Sequence, residues 1–189
     1  MLAAAMVISS PGYASGYDPK AQHDLTGHFL SQDVPNGGRG ESNYLHRMVK
    51  RVVGYTFREI VHDSAVPYLV KFCDGACFDT ERGTLLPMLE VAEMLDHKRS
   101  GKVATFNYIL NDLEKGLEHY RDGAKDEAGK LPKTFLTWIP SKKQREEEGA
   151  TVKHYTGSVT KAGMKEWLEM LKIPLGLTKS ERNRRKEEL

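Results

Sequence analysis

Strand-type and helix-type hydrophobic patterns alternate along residues 46–173, and this alternation is the feature that most limits the possible folds. Runs rich in β-branched and aromatic residues predict strands, and apolar residues at spacings of three and four predict helices. The predicted order is strand, helix, strand, helix, strand, helix, strand, strand, helix. Strands are predicted at 48–53, 67–72, 102–109, 134–139 and 151–155. Strands that alternate with helices predict an α/β domain, and the last two strands predict an antiparallel hairpin.

The helices between these strands are predicted from apolar spacing. Leu113, Leu117 and Tyr120 fall on one face of the third helix, and a last helix after Thr160 buries an apolar stripe. That stripe consists of Met164, Trp167, Leu168 and Leu171.

Two segments of different character flank this domain. Residues 1–45 contain proline and glycine without sustained periodicity, which predicts an extended arm. Residues 174–189 are rich in Lys, Arg and Glu, which predicts a charged, solvated helical tail. An arm without a core of its own is expected to be held either by its own domain or by a partner. Its expected anchors to a partner protein are Met6, Tyr13, Tyr17, Phe29 and Tyr44.

Composition excludes several classes of protein. The chain has 28 Lys and Arg against 26 Asp and Glu, a net charge of +2, which argues against a dedicated nucleic-acid binder. Its two cysteines exclude a disulfide framework and a Cys₄ zinc module. No apolar run approaches the ~20 residues of a membrane span. The seven histidines show no metal-ligand spacing, so no metal and no cofactor are expected.

Four segments, taken in order, resemble the thioredoxin domain of protein disulfide isomerases over residues 48–172. Tyr68–Phe72 is similar to the strand before the family's active site, and Leu86–Glu90 is similar to its proline-containing helix. Leu131–Phe135 resembles the cis-proline loop, and Tyr155–Gly157 resembles the turn before the last helix. The resemblance implies a thioredoxin-like fold, in which helices flank a mixed central sheet. It also implies that Pro132 occupies the cis-proline position.

The family's Cys-x-x-Cys motif is absent. Counting forward from the strand, Cys77 falls on the attacking position and Thr80 on the resolving position. Lys71 stands where the family has a buried acid that relays a proton, and a lysine is a poor substitute for that base unless burial depresses its pKa. Cys73 and Cys77 are therefore treated as vestigial thiol positions, with no catalytic residue expected.

Three interpretations of the two cysteines remain open. They can be ordinary small, half-buried residues. Cys77 can act as a single thiol activated by a helix N-terminus. Alternatively, Cys73 and Cys77 can form a disulfide.

These departures predict a redox-inactive, structural or binding protein of a large assembly rather than an enzyme. The overall organisation resembles the thioredoxin-like proteins of cortical microtubules in apicomplexan parasites. That resemblance implies a cytoplasmic, cytoskeletal location and a tubulin lattice as partner. The alternative is a thiol–disulfide oxidoreductase or chaperone of the endoplasmic reticulum lumen, since Lys186, Glu187, Glu188 and Leu189 resemble a retrieval signal.

Overall fold

A computed structural model describes residues 48–74 and 85–188 of the chain. The five strands are β1 (Val49–Val52), β2 (Tyr68–Cys73), β3 (Lys102–Asn107), β4 (Thr134–Ile139) and β5 (Lys153–Tyr155). The helices are α1 (Gly54–Phe57), α2 (Leu85–Lys98), α3 (His119–Asp122), α4 (Lys142–Glu146), α5 (Lys161–Met170) and α6 (Lys179–Glu187), and α1 continues into a π-helical turn, Arg58–His62. None of these helices is both long and apolar enough to cross a lipid bilayer.

The strands form one mixed sheet in the order β1-β3-β2-β4-β5. Strands β1, β3 and β2 run parallel, whereas β4 lies antiparallel to β2 and to β5. The predicted hairpin of the last two strands is confirmed. The domain is therefore α/β, with a mixed sheet flanked by helices, an arrangement compatible with a thioredoxin-like domain.

Each face of the sheet is covered by its own helices, because successive side chains of a strand point to opposite faces. In β2, Val70 and Phe72 face a layer formed by α1, the π-helical turn and α3. Leu69 faces the opposite layer, formed by α2 and α5. Met164, Trp167 and Leu168 of α5 are buried, as the sequence predicts, whereas Leu171 follows the helix and is only half-buried against the same core.

The third helix is the main difference from the sequence prediction. Leu113, Leu117 and Tyr120 are buried as expected, but only His119–Asp122 is helical. Gly116 adopts φ +91°, a left-handed conformation that interrupts a right-handed helix. The apolar spacing therefore reports burial of this segment but not its backbone conformation.

Tyr120 ties the layer of α1 and α3 together. Its ring is fully buried, and its hydroxyl lies 2.6 Å from His62 Nδ1. Arg145 lies over the same ring, 5.9 Å from its centroid, and donates to the His62 carbonyl. Because burial and the nearby Arg145 both disfavour a charged imidazole, the pKa of His62 is lowered. The neutral ring can then accept a hydrogen bond from the Tyr120 hydroxyl at Nδ1.

Candidate functional site

The ends of β2 and β3 meet the start of β4 at one edge of the sheet. The Tyr108 amide donates to the Cys73 carbonyl at 3.0 Å, and the Asp74 amide donates to the Lys133 carbonyl at 3.0 Å. The carboxyl ends of parallel strands are where open α/β sheets usually bind ligands. This edge is therefore the candidate functional site, and it coincides with the position at which the sequence resemblance implies thiol chemistry.

Cys73 is the last residue of β2 and is only 3% exposed. Its sulfur is part of a disulfide, which removes it from the class of ordinary free thiols. The sulfur lies 3.5 Å from the Phe106 carbonyl oxygen, and this is a packing contact because a disulfide sulfur has no proton to donate. Among the three interpretations of the cysteines, the bonded state of Cys73 favours a disulfide.

Lys71 lies in the central strand of the sheet, at the position where the resemblance to protein disulfide isomerases implies an acid. It is 2% exposed and is in register with Thr105 on β3 and Leu136 on β4. The side chains of these three residues share the face covered by α2 and α5, since Leu69 of the same strand lies there. A lysine at this position offers an amino group with hydrogen-bond donors in place of the carboxylate that would accept a proton.

Thr105, beside Lys71, carries the one buried side-chain oxygen or nitrogen of the described residues that has no hydrogen-bond partner. The residue is 1% exposed. Sequence reasoning missed this feature, because threonine is common in strands and nothing in its neighbours signals an unpaired hydroxyl.

The peptide bond before Pro132 is trans, because the described residues contain no cis peptide bond. The expected cis-proline geometry is therefore wrong for this structure. Pro132 nevertheless lies at the candidate edge, where its carbonyl accepts the Tyr108 hydroxyl at 2.9 Å. Burial and the nearby Asp74 raise the pKa of Tyr108, so its hydroxyl stays protonated at neutral pH and can donate this bond.

A tight turn after β3 presents two aliphatic side chains to solvent. The Asn107 side-chain oxygen accepts the amides of Ile109 and Leu110 at 3.0 Å each. These bonds end the strand at Asn107, short of the predicted residue 109, because the side chain competes with the ladder for backbone donors. Ile109 is 65% exposed and Leu110 is 73% exposed. They add an exposed apolar surface to this edge, whereas the sequence predicts that Ile109 lies within the strand.

Several predicted residues lie outside the described parts of the chain. These are Cys77, Thr80, Leu189 and the arm residues Met6, Tyr13, Tyr17, Phe29 and Tyr44. Lys186, Glu187 and Glu188 are described and are exposed at the end of α6. Within residues 48–74 and 85–188, no group of three or more His, Cys, Asp or Glu side chains could hold a metal ion.

The described part of the edge combines a sulfur already engaged in a disulfide, a buried lysine and a protonated phenol. This described part contains no free thiol. Cys73 lies at the end of a strand and not at a helix N-terminus, which is the position that lowers the pKa of reactive thiols. No protein-family model matches the sequence, and no curated protein matches it.

Proposed function

We propose that this chain is a thioredoxin-like, redox-inactive protein that binds other proteins within a large assembly. The observation that carries the proposal is Lys71, buried in the central strand beside the bonded Cys73. Thiol–disulfide exchange in related domains depends on a thiolate and on a group that moves its proton. A lysine at the position of the proton-relay acid offers no carboxylate for that step.

The strand order supports the thioredoxin-like part of the proposal. Three parallel strands, with a helical connection after each, are followed by an antiparallel hairpin and a further helix. The four resembling segments occupy matching places: β2, the start of α2, the loop into β4, and the turn between β5 and α5. Fold alone does not define function, so the binding role has to be tested separately.

The partner that we propose is the tubulin lattice of a cytoplasmic cytoskeleton. A slightly basic chain is electrostatically compatible with the acidic surface of tubulin. Residues 1–45 are the proposed anchor. Co-sedimentation with polymerised tubulin tests this directly: the full chain should pellet, and a chain lacking residues 1–45 should stay in the supernatant. Pelleting that survives the deletion would refute the anchoring role, and failure of the full chain to pellet would refute the choice of partner.

The competing function is thiol–disulfide exchange or chaperone activity in the endoplasmic reticulum. The disulfide at Cys73 is the observation that favours it. Insulin reduction by the purified chain, compared with Cys77→Ser and Cys73→Ser, separates the two proposals. We expect the chain to be no faster than a buffer blank, with no change in either variant. Reduction that requires Cys77 would overturn the redox-inactive proposal.

Localisation of the tagged native protein is the second discriminating measurement. A cytoskeletal pattern is expected, whereas a luminal pattern that depends on residues 186–189 would favour the reticulum alternative.

A further inference from the structure

The C-terminal helix α6 is an unusual element, because it carries no apolar side chain at all. Its sequence from Lys179 to Glu187 consists only of charged residues, one serine and one asparagine. A helix of nine residues without an apolar face is too short to be stable alone in water. Something in the domain must therefore hold it.

The first turn of α6 is held by a polar anchor on α2 and α5. The Lys161 ammonium lies 3.1 Å from both Glu90 Oε1 and Glu181 Oε1. The Lys179 amide donates to Glu93 Oε2 at 2.6 Å. Within the turn, the Thr178 amide donates to Glu181 Oε2 at 2.8 Å and the Thr178 hydroxyl accepts the Glu181 amide. These contacts lower the pKa of Glu181 to about 2.

The rest of the helix leaves the surface of the domain. Thr178 is 1% exposed and Arg182 is half-buried, whereas every residue from 183 to 188 is exposed. The half-buried Arg182 and the exposed Arg184, Arg185 and Lys186 make four cations within five residues, which we call the cationic end. None of the four forms an ion pair with the other residues that the structure describes.

The cationic end carries a repulsion that a ligand could relieve. Arg182 lies three residues from Arg185 and four from Lys186, and like charges at these spacings oppose a helix by roughly 0.2–0.5 kcal/mol a pair. Cations in a last turn favour the helix dipole, which offsets part of this cost. Arginine forks bind carboxylates with two parallel hydrogen bonds. A row of carboxylates would neutralise these cations while the anchor keeps the helix in place.

We propose that the cationic end of α6 is a docking surface for an acidic polypeptide segment. The inference rests on the proposed binding function but not on the identity of the partner. A membrane surface fits less well, because interfacial helices need an apolar face and α6 has none. A nucleic acid fits less well because the chain has a net charge of only +2, whereas a dedicated nucleic-acid binder is strongly basic.

The test uses the full chain and a fluorescent oligoglutamate of about ten residues, which when extended is longer than the cationic end. Binding is followed by fluorescence anisotropy at low salt and at higher salt. In the test variant, Arg184, Arg185 and Lys186 are each changed to Gln. The matched control changes Lys115, Lys130 and Lys153 to Gln. These three lysines are exposed and lie outside helices, so the control variant loses the same charge as the test variant.

We expect the test variant to bind oligoglutamate at least about tenfold more weakly, the control to change about twofold or less, and added salt to weaken binding. Equal losses in both variants, or no loss in the test variant, would overturn the docking surface. An oligonucleotide or an anionic phospholipid vesicle that binds more tightly than oligoglutamate, and loses this binding in the test variant, would also overturn it. Thermal unfolding of both variants checks that the domain remains intact.

The same variants distinguish this inference from the proposed function. If the full chain pellets with polymerised tubulin and the test variant pellets equally well, the function stands for that partner. The docking surface is then judged by the oligoglutamate measurement alone. If the full chain does not pellet but binds oligoglutamate through α6, the docking surface stands and the choice of partner fails.

Discussion

Replacing Thr105 by valine should stabilise the domain. The Thr105 hydroxyl is buried in the central sheet without a partner, and a buried polar group left unpaired costs about 1–3 kcal/mol. Valine has nearly the same shape and prefers strands equally well. We expect the free energy of unfolding to rise by about 1–2 kcal/mol, since the substitution removes the unpaired hydroxyl without leaving a cavity.

Thr137→Val is the matched control, because this threonine is as buried as Thr105 but fully hydrogen-bonded. Its hydroxyl lies 3.2 Å from the Tyr120 carbonyl, to which it donates, and 3.0 Å from His154 Nδ1. The Tyr120 carbonyl can only accept, so it takes the single proton of the Thr137 hydroxyl. The second bond must therefore be donated by the His154 Nδ1 proton to the threonine oxygen. Valine at 137 would leave two polar groups unpaired, and we expect a loss of about 1–3 kcal/mol.

Urea and thermal unfolding, followed by circular dichroism, measure both variants against the unmodified chain. A change of 1 kcal/mol should move the midpoint temperature by about 2–4 °C in a chain of this size. Both variants replace a buried threonine by valine. If the free energy of unfolding rises in one and falls in the other, the difference is due to hydrogen bonding. If Thr105→Val destabilises the domain as much as Thr137→Val does, the Thr105 hydroxyl has a partner and the reasoning is refuted.

Three further predictions follow from individual contacts. Burial lowers the pKa of His154 below its ordinary 6.5. As the pH drops below 6.5, the unfolded chain therefore binds a proton at this histidine more readily than the folded chain, and the free energy of unfolding should fall. In denaturant titrations, His154→Gln should reduce this pH dependence. In Gly54→Ala, the added methyl group would overlap the Asp112 carbonyl oxygen, and we expect a loss of about 1–3 kcal/mol in thermal unfolding. Glu181→Gln weakens the pairing with Lys161, so hydrogen exchange should accelerate in α6 but not in the sheet.

Each of these predictions has a control or a contradicting result. For the pH dependence, an acid slope that stays the same in His154→Gln would contradict its assignment to His154. Unchanged stability of the Gly54 variant would mean that the nearby loop moves aside. For α6, the control is Glu187→Gln, which removes an exposed carboxylate from the same helix. In the unmodified chain the Glu181 contribution should be complete above pH 4.5 and should disappear as the pH falls towards about 2.

The sequence predicted the alternation of elements because burial sets hydrophobic periodicity in both strands and helices. Val70 and Phe72 alternate with Leu69 across β2, and Trp167 and Leu168 lie on the buried side of α5. Where a single residue decides the backbone conformation, the prediction from the hydrophobic pattern was wrong. Asn107 ends β3 early through its side-chain oxygen, and Gly116 interrupts the expected third helix.

The candidate site was predictable only in outline. The sequence places Lys71 within a strand bounded by clear turn signals and Cys73 directly after its predicted end at residue 72, whereas the observed strand includes Cys73. Sequence could not reveal that Cys73 is in a disulfide, that Thr105 lacks a partner, or that the peptide before Pro132 is trans. These properties depend on atoms brought together from distant parts of the chain.

The strand order also has a consequence for the way the chain assembles. Within this sheet only β4 and β5 are close in sequence, while β1 must wait for β3, about 50 residues later, to pair at all. During synthesis, β1 and β2 therefore leave the ribosome without a finished partner, and closing these long loops costs entropy before any contact compensates for it. We expect the central sheet to form late and in a single step, with the β4–β5 hairpin as the one piece that can form early.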